Sequence, residues 1–207
     1  MSRSKAHAKF AKTVHRAWLM ANLRNGLLEN QITIGGGALS DYDDLGRASV
    51  VLAVAAMDSY FTEAFIEKLI PFLRSKKPTK ELIRRLESAG FGLADALELL
   101  NEKDPYGRIR STLEDHLERY VTQSVEKIDS LFLAYGFKHI SASAEAKTKR
   151  NTLIKTVERL VRRRHQIVHD GDYMKRGKLR LFDQKNATRE VQSMEKFVTA
   201  CDEMLFP

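Results

Sequence analysis

Cysteine is nearly missing from this 207-residue chain: Cys201 stands alone, which excludes an internal disulfide and suits a reducing compartment, so a cytoplasmic location is expected. Proline and glycine are scarce at four and eleven residues, which permits long uninterrupted helices. No run of about 18 apolar residues occurs, so no membrane span and no membrane partner are expected. The N-terminus also lacks the apolar stretch of a secretion signal. Acid is absent from residues 1–28, where six Lys/Arg stand, a bias shared with transit peptides. However, Phe10, Val14, Ala17, Trp18, Ala21, Leu27 and Leu28 approximate a helical stripe, so a structural first helix over about 5–29 is the better reading.

What is present is a helix-rich composition, 43% apolar and 30% charged, with a net charge of +8. The charge is concentrated. Residues 1–28 carry +6, residues 147–180 carry +9 from twelve Lys/Arg against three acids, and the rest is acidic. Two basic zones on an acidic body point to a polyanionic partner, nucleic acid foremost, against the plainer reading of a solvated basic surface.

Gly35-Gly36-Gly37 marks a flexible connection and not a phosphate loop, because the lysine and preceding strand of a P-loop are missing. Ser40 or Asp41 is expected to cap a long second helix running to about Arg74, apolar nearly all round at its centre. The acids Asp41, Asp43 and Asp44 there fit a helix start better than a metal site. A third helix is expected over about 79–89, with helical structure resuming at 93–100 and Asp104-Pro105-Tyr106-Gly107 forming a turn. Helices over about 108–120 and 124–135 follow. One starting near Ser143 is expected to run through Arg164 and His169 to a stop at Gly171. Residues 175–182 read as a short hairpin-like connection, and about 188–205 as a last helix. No strand series or internal repeat appears, so the fold class is all-α.

Function is sought in the segment from Leu153 to Asp172, where chemistry and pattern conflict. Leu153, Val157, Leu160, Ile167 and Val168 fall on one helical face, and Arg164 lies near its centre. A guanidinium there must find a polar partner or open onto a site, because burying an unpaired charge costs several kcal/mol or more. Arg164 and His169 are about 140° apart around the helix, whereas His165 and His169, four residues apart, share a face. Metal-free RNA cleavage needs a base for the ribose 2′-hydroxyl, a cation for the phosphorane oxygens and an acid for the leaving oxygen. Histidine and arginine supply those groups. Taken singly, His169 could serve only the helix dipole, and Arg164 only an internal ion pair.

A zinc site is the rival chemistry. His165-x-x-x-His169 has the spacing of a zinc pair, but Gln166 stands where zinc peptidases place their glutamate. Asp58, on the apolar stripe of the second helix, is a candidate partner that orients Arg164, or one that pairs with another arginine such as Arg47. Cys201 reads as a small hydrophobe. Aromatic residues fall at core spacing, with none interleaved among the basic residues as a base-stacking platform would need.

Arg164-His165-x-x-x-His169 resembles the R-x(4–6)-H motif of HEPN domains, and the chain is most similar to the RiboL-PSP-HEPN family. The resemblance is carried by Arg47 to Leu52 with Ala56 to Tyr60, by Asp104 to Arg110 with Val121 to Ile128, and by Arg163 to Asp172. It covers roughly residues 40–205. It implies a single HEPN-like domain over 1–207, with a basic helix and Gly-rich connection over 1–39 and the HEPN core over 40–205. It further implies homodimerisation, no cofactor, and in active members metal-independent endoribonuclease activity, often in toxin–antitoxin, phage-defence or RNA-processing settings; many members are instead silent binding modules. By position Arg164 and His169 would be the catalytic pair, with His165 as accessory. Arg162, Arg163, Lys175, Arg176, Lys178 and Arg180 would hold the backbone of single-stranded or loop RNA. An antitoxin or other protein partner would be consistent with those settings. The alternative is an inactive module binding RNA, a nucleotide or a protein.

Overall fold

The structure, a computed structural model, describes residues 3–32, 39–118, 120 and 122–207. Gly35-Gly36-Gly37 lies outside the described residues. Among these the chain is all-α, with helices α1 (Lys5–Glu29), α2 (Asp43–Ser75), α3 (Lys80–Ser88), α4 (Leu93–Glu98), α5 (Pro105–Leu117), α6 (Val125–Leu133), α7 (Ile140–Thr148), α8 (Leu153–Asp170) and α9 (Gln184–Leu205). The described residues hold no strand beyond one isolated antiparallel bridge, Tyr173 with Leu179.

α2 is the central element. Its residues Val50, Val54, Met57, Phe61, Phe65 and Leu69 are buried, and α1, α5, α6, α8 and α9 all pack on it. The Phe61 ring meets Phe132 of α6 at 5.9 Å and Phe197 of α9 at 5.8 Å, near-perpendicular or tilted arrangements that suit aromatic quadrupoles. By length and composition α2 could cross a membrane, but 61% of its most apolar window is buried in the bundle, which is how a core helix satisfies its apolar surface.

The basic N-terminal helix is part of this core. Phe10, Val14, Ala17 and Ala21 of α1 are buried. Ser4 caps it, accepting from the His7 N–H at 2.9 Å, and Glu67 of α2 accepts from the Lys5 and Ala6 N–H groups at 3.0 and 2.9 Å. A carboxylate on one helix therefore satisfies the orphan amides of another and offsets its dipole.

Three local expectations change. The cap position of α2 falls on Tyr42, after a 3-10 turn over Leu39–Tyr42, and not on Ser40 or Asp41. Asp104-Pro105-Tyr106-Gly107 opens α5 instead of forming a turn: the Asp104 side chain accepts from the Gly107 N–H at 3.0 Å and Pro105 fills the first helical position, where its missing N–H costs nothing. The helix expected from Ser143 is two helices. Lys149, left-handed at φ 54, ends α7, and α8 starts at Leu153. α8 lies against α2 and α9, where Arg159 pairs with the buried Glu190.

Candidate functional site

α8 is buried only in its first half. Leu153, Val157 and Leu160 are its buried residues, and Val168, expected on the core stripe, is 47% exposed. The C-terminal half is only partly covered: Val161 and Ile167 pack against the core, and its other side overhangs into solvent. Gly171 ends it at φ 57, a conformation cheap only for glycine, and the Asp172 N–H closes back on the Gln166 carbonyl at 3.0 Å.

The exposed overhang carries His165 and His169 with their ring centroids 4.3 Å apart and planes 39° from parallel. Arg162, three and seven residues before them, is exposed on the same side of the helix. Arg164 is elsewhere. Half-buried, it lines a cavity of about 340 Å³ with Asp58, Ser59 and Thr62 of α2 and Glu118, Tyr120 and Gln123 beyond α5. Its Nε is buried without a hydrogen-bond partner among the described residues. Among them, too, no hydrogen bond or ion pair joins Arg164 to either imidazole. Within one copy, then, the side of α8 that holds the imidazoles is served by Arg162, and Arg164 faces a different opening.

Asp58 shares the Arg164 cavity but its hydrogen bonds go to other groups. Its carboxylate accepts from the Thr122 N–H at 2.5 Å, the Thr122 hydroxyl at 2.6 Å and the Gln123 amide at 3.0 Å. It therefore ties the chain between α5 and α6 to α2, in place of the expected arginine pair. Arg47 does not reach it either. Arg47 donates to Asp172 (2.6 Å), Asp44 (3.0 Å) and the Arg180 carbonyl (2.8 Å).

Asp172 is the polar centre that sequence reasoning passed over. It is fully buried, and its carboxylate takes both terminal nitrogens of Arg163, the second at 2.6 Å, as well as Arg47 Nε. Arg180 Nε stands 4.0 Å away. Three guanidiniums against one buried acid, with exposed Asp44 at the rim, leave local positive charge. Desolvation works against the Arg47 charge, but hydrogen bonds and attraction to Asp172 and Asp44 outweigh it and raise its pKa. A signal was available in the sequence: Arg47 lies three residues before Val50 on the core stripe of α2, and a buried cation requires an acid.

The hub secures a basic ribbon. After Asp172 the chain turns back through the Tyr173–Leu179 bridge, and Lys175, Arg176 and Lys178 stand exposed around its tip. On its return Phe182 packs on α2 where Gly46 has no side chain; a Cβ there would lie 2.2 Å from the ring. The Arg24 and Arg47 guanidiniums flank that ring at 5.5 and 5.7 Å. Of the six residues assigned to RNA backbone, Arg162, Lys175, Arg176 and Lys178 are exposed, while Arg163 is committed to Asp172 and Arg180 is half-buried.

No group of three or more His, Cys, Asp or Glu side chains among the described residues could hold a metal ion. One copy therefore offers His165 and His169 no third ligand there. Cys201 is fully buried, and burial pushes its thiol well above the ordinary range, as befits a packing residue.

A family model described as RiboL-PSP-HEPN matches residues 16–200 of the chain. The match begins inside α1, so it takes in part of the N-terminal helix that the motif resemblance left out. No curated protein and no solved structure matches the chain.

Proposed function

The chain belongs to the RiboL-PSP-HEPN family, and from that premise we propose that it is a metal-independent endoribonuclease. It cuts single-stranded or loop RNA at a composite site where two copies meet. The observation that carries this reading is the pair of adjacent, exposed imidazoles on the less buried half of α8, beside a basic ribbon. His169 acts as general base or acid, and His165 hydrogen-bonds the phosphate or the imidazole of the other copy. Arg164 stabilises the charge developing on the phosphorane. Because Arg164 faces away from the imidazoles of its own chain, it serves those of the second copy, which makes the homodimer a condition of activity. Arg162, Lys175, Arg176 and Lys178 hold the RNA backbone, and the excess charge of the Asp172 hub lends Arg163 and Arg180 a long-range share. A cytoplasmic setting, a defence or toxin–antitoxin role and a protein antitoxin belong to the same proposal.

One observation favours a second reading, a silent HEPN module that binds RNA, nucleotide or protein without turnover: a single copy does not bring Arg164 to either imidazole. RNA incubated with protein in EDTA separates the two. The nuclease cleaves under chelation, and Arg164→Ala and His169→Ala each lower the rate by about 10²–10⁴-fold. Salt-sensitive binding with intact RNA supports the module instead. Activity lost on chelation refutes the metal-free mechanism, and a monomer by light scattering at micromolar concentration removes the composite site.

A further inference from the structure

The ribbon after α8 carries an aromatic residue that the nuclease chemistry does not use. Tyr173 is 53% exposed in a surface where Leu181 is 97% exposed and Leu179 is 45% exposed. The backbone bridge places Tyr173 and Leu179 as cross-strand neighbours on one face. The Tyr173 ring lies beside Gly171, 3.4 Å from where a Cβ would stand. Residues 173–182 contain four cations and no acid. The Asp172 hub pins one end of the ribbon and Phe182 on Gly46 pins the other, so the exposed ring is presented on a fixed support.

We propose that Tyr173 is a base-stacking residue: an unpaired RNA base lies on the Tyr173–Leu179 face, and the phosphates beside it take Lys175, Arg176 and Lys178. The strand continues toward a cavity of about 600 Å³ in which Lys178 and Arg180 stand among Met174, Leu179 and Leu181. Arg180, whose Nε stands 4.0 Å from the buried Asp172 carboxylate, adds positive charge to the wall of that cavity. Charge chooses this occupant over a second copy of the chain. The expectation that no aromatic residue stands among the basic ones does not hold here, since Tyr173 adjoins Lys175, Arg176 and Lys178; apolar and aromatic surface beside lysine fits a ligand having both π-faces and negative charge, whereas protein interfaces are depleted in lysine. A duplex keeps its bases stacked inside, so this subsite selects single strands. The proposal rests on the RNA reading above and deepens it.

The test uses wild-type protein in EDTA with a short single-stranded 2′-O-methyl RNA bearing 2-aminopurine, which cannot be cleaved through its 2′-oxygen. Wild type is expected to bind it and quench the 2-aminopurine fluorescence. Tyr173→Phe keeps both effects, while Tyr173→Ala abolishes the quenching and weakens binding about 5- to 150-fold, the range for one lost base stack. Binding of the matching duplex is unchanged by either substitution. If Tyr173→Ala binds and quenches like wild type, the stacking role is wrong while the RNA reading stands. No binding by wild type overturns both. If Tyr173→Ala leaves RNA affinity intact but turns a dimer into a monomer in light scattering, the face belongs to a second copy and the proposal is refuted.

Discussion

The two halves of α8 follow opposite rules. Over residues 153–160 it is a core helix with Leu153, Val157 and Leu160 buried against α2 and α9, whereas over 161–170 none of its residues is buried. The first half holds the bundle together, and the second is only partly covered by it. Adjacent arginines repeat the contrast. Arg163 is tied to Asp172 by both terminal nitrogens, while Arg164 Nε is buried with no partner among the described residues. One guanidinium is structural and its neighbour lines a cavity, although they differ by one step of about 100° around the helix.

The contrast makes graded predictions. Asp172→Asn is expected to be the most damaging stability change, about 3–5 kcal/mol by urea denaturation, because it strips the buried Arg47 and the half-buried Arg163 of their shared counter-charge. A loss below about 1 kcal/mol would mean that the hub carries surplus charge and little stability. Next comes Leu160→Ala, expected to cost about 2–5 kcal/mol as a buried leucine truncation.

Acid should then act through the buried part of the molecule. Burial first, and then the charge of Arg3, hold His7 below the ordinary histidine range. A depressed folded pKa gives stability that is present above the unfolded value of about 6.5 and is lost as pH falls from there through the folded value. Urea midpoints for wild type are thus expected to drop between about pH 7.5 and pH 5.5, and His7→Gln to flatten that drop. An equally steep drop in His7→Gln would place the acid sensitivity elsewhere. The smallest effect belongs to the overhang: Val168→Ala should shift stability by no more than about 0.5 kcal/mol. A cost near that of Leu160→Ala would erase the distinction between the two halves.

Most of the helices were legible because their signals are local. Apolar spacing marked α1, Thr79 and Gly90 bracket α3, and Gly171 ends α8 at a left-handed φ. Local signals also misled where one residue has two meanings. Asp-Pro is a turn former and a helix N-terminus alike, and in Asp104-Pro105 the second meaning prevailed. The stripe that placed Val168 in the core was periodic, but periodicity does not say where the neighbouring helices end.

The sequence alone determined that the chain is an all-α bundle, that its charge is gathered in two basic zones, and that an arginine and two histidines occupy one helix before a glycine stop. These follow from spacing and composition along the chain. Only the tertiary structure decided which arginine is satisfied and which is open. Asp172 meets Arg47 across 125 residues, and Asp58 is claimed by Thr122 and Gln123 across about 65. Buried charges are matched by whichever helices come to lie side by side, and no spacing within a single helix encodes that.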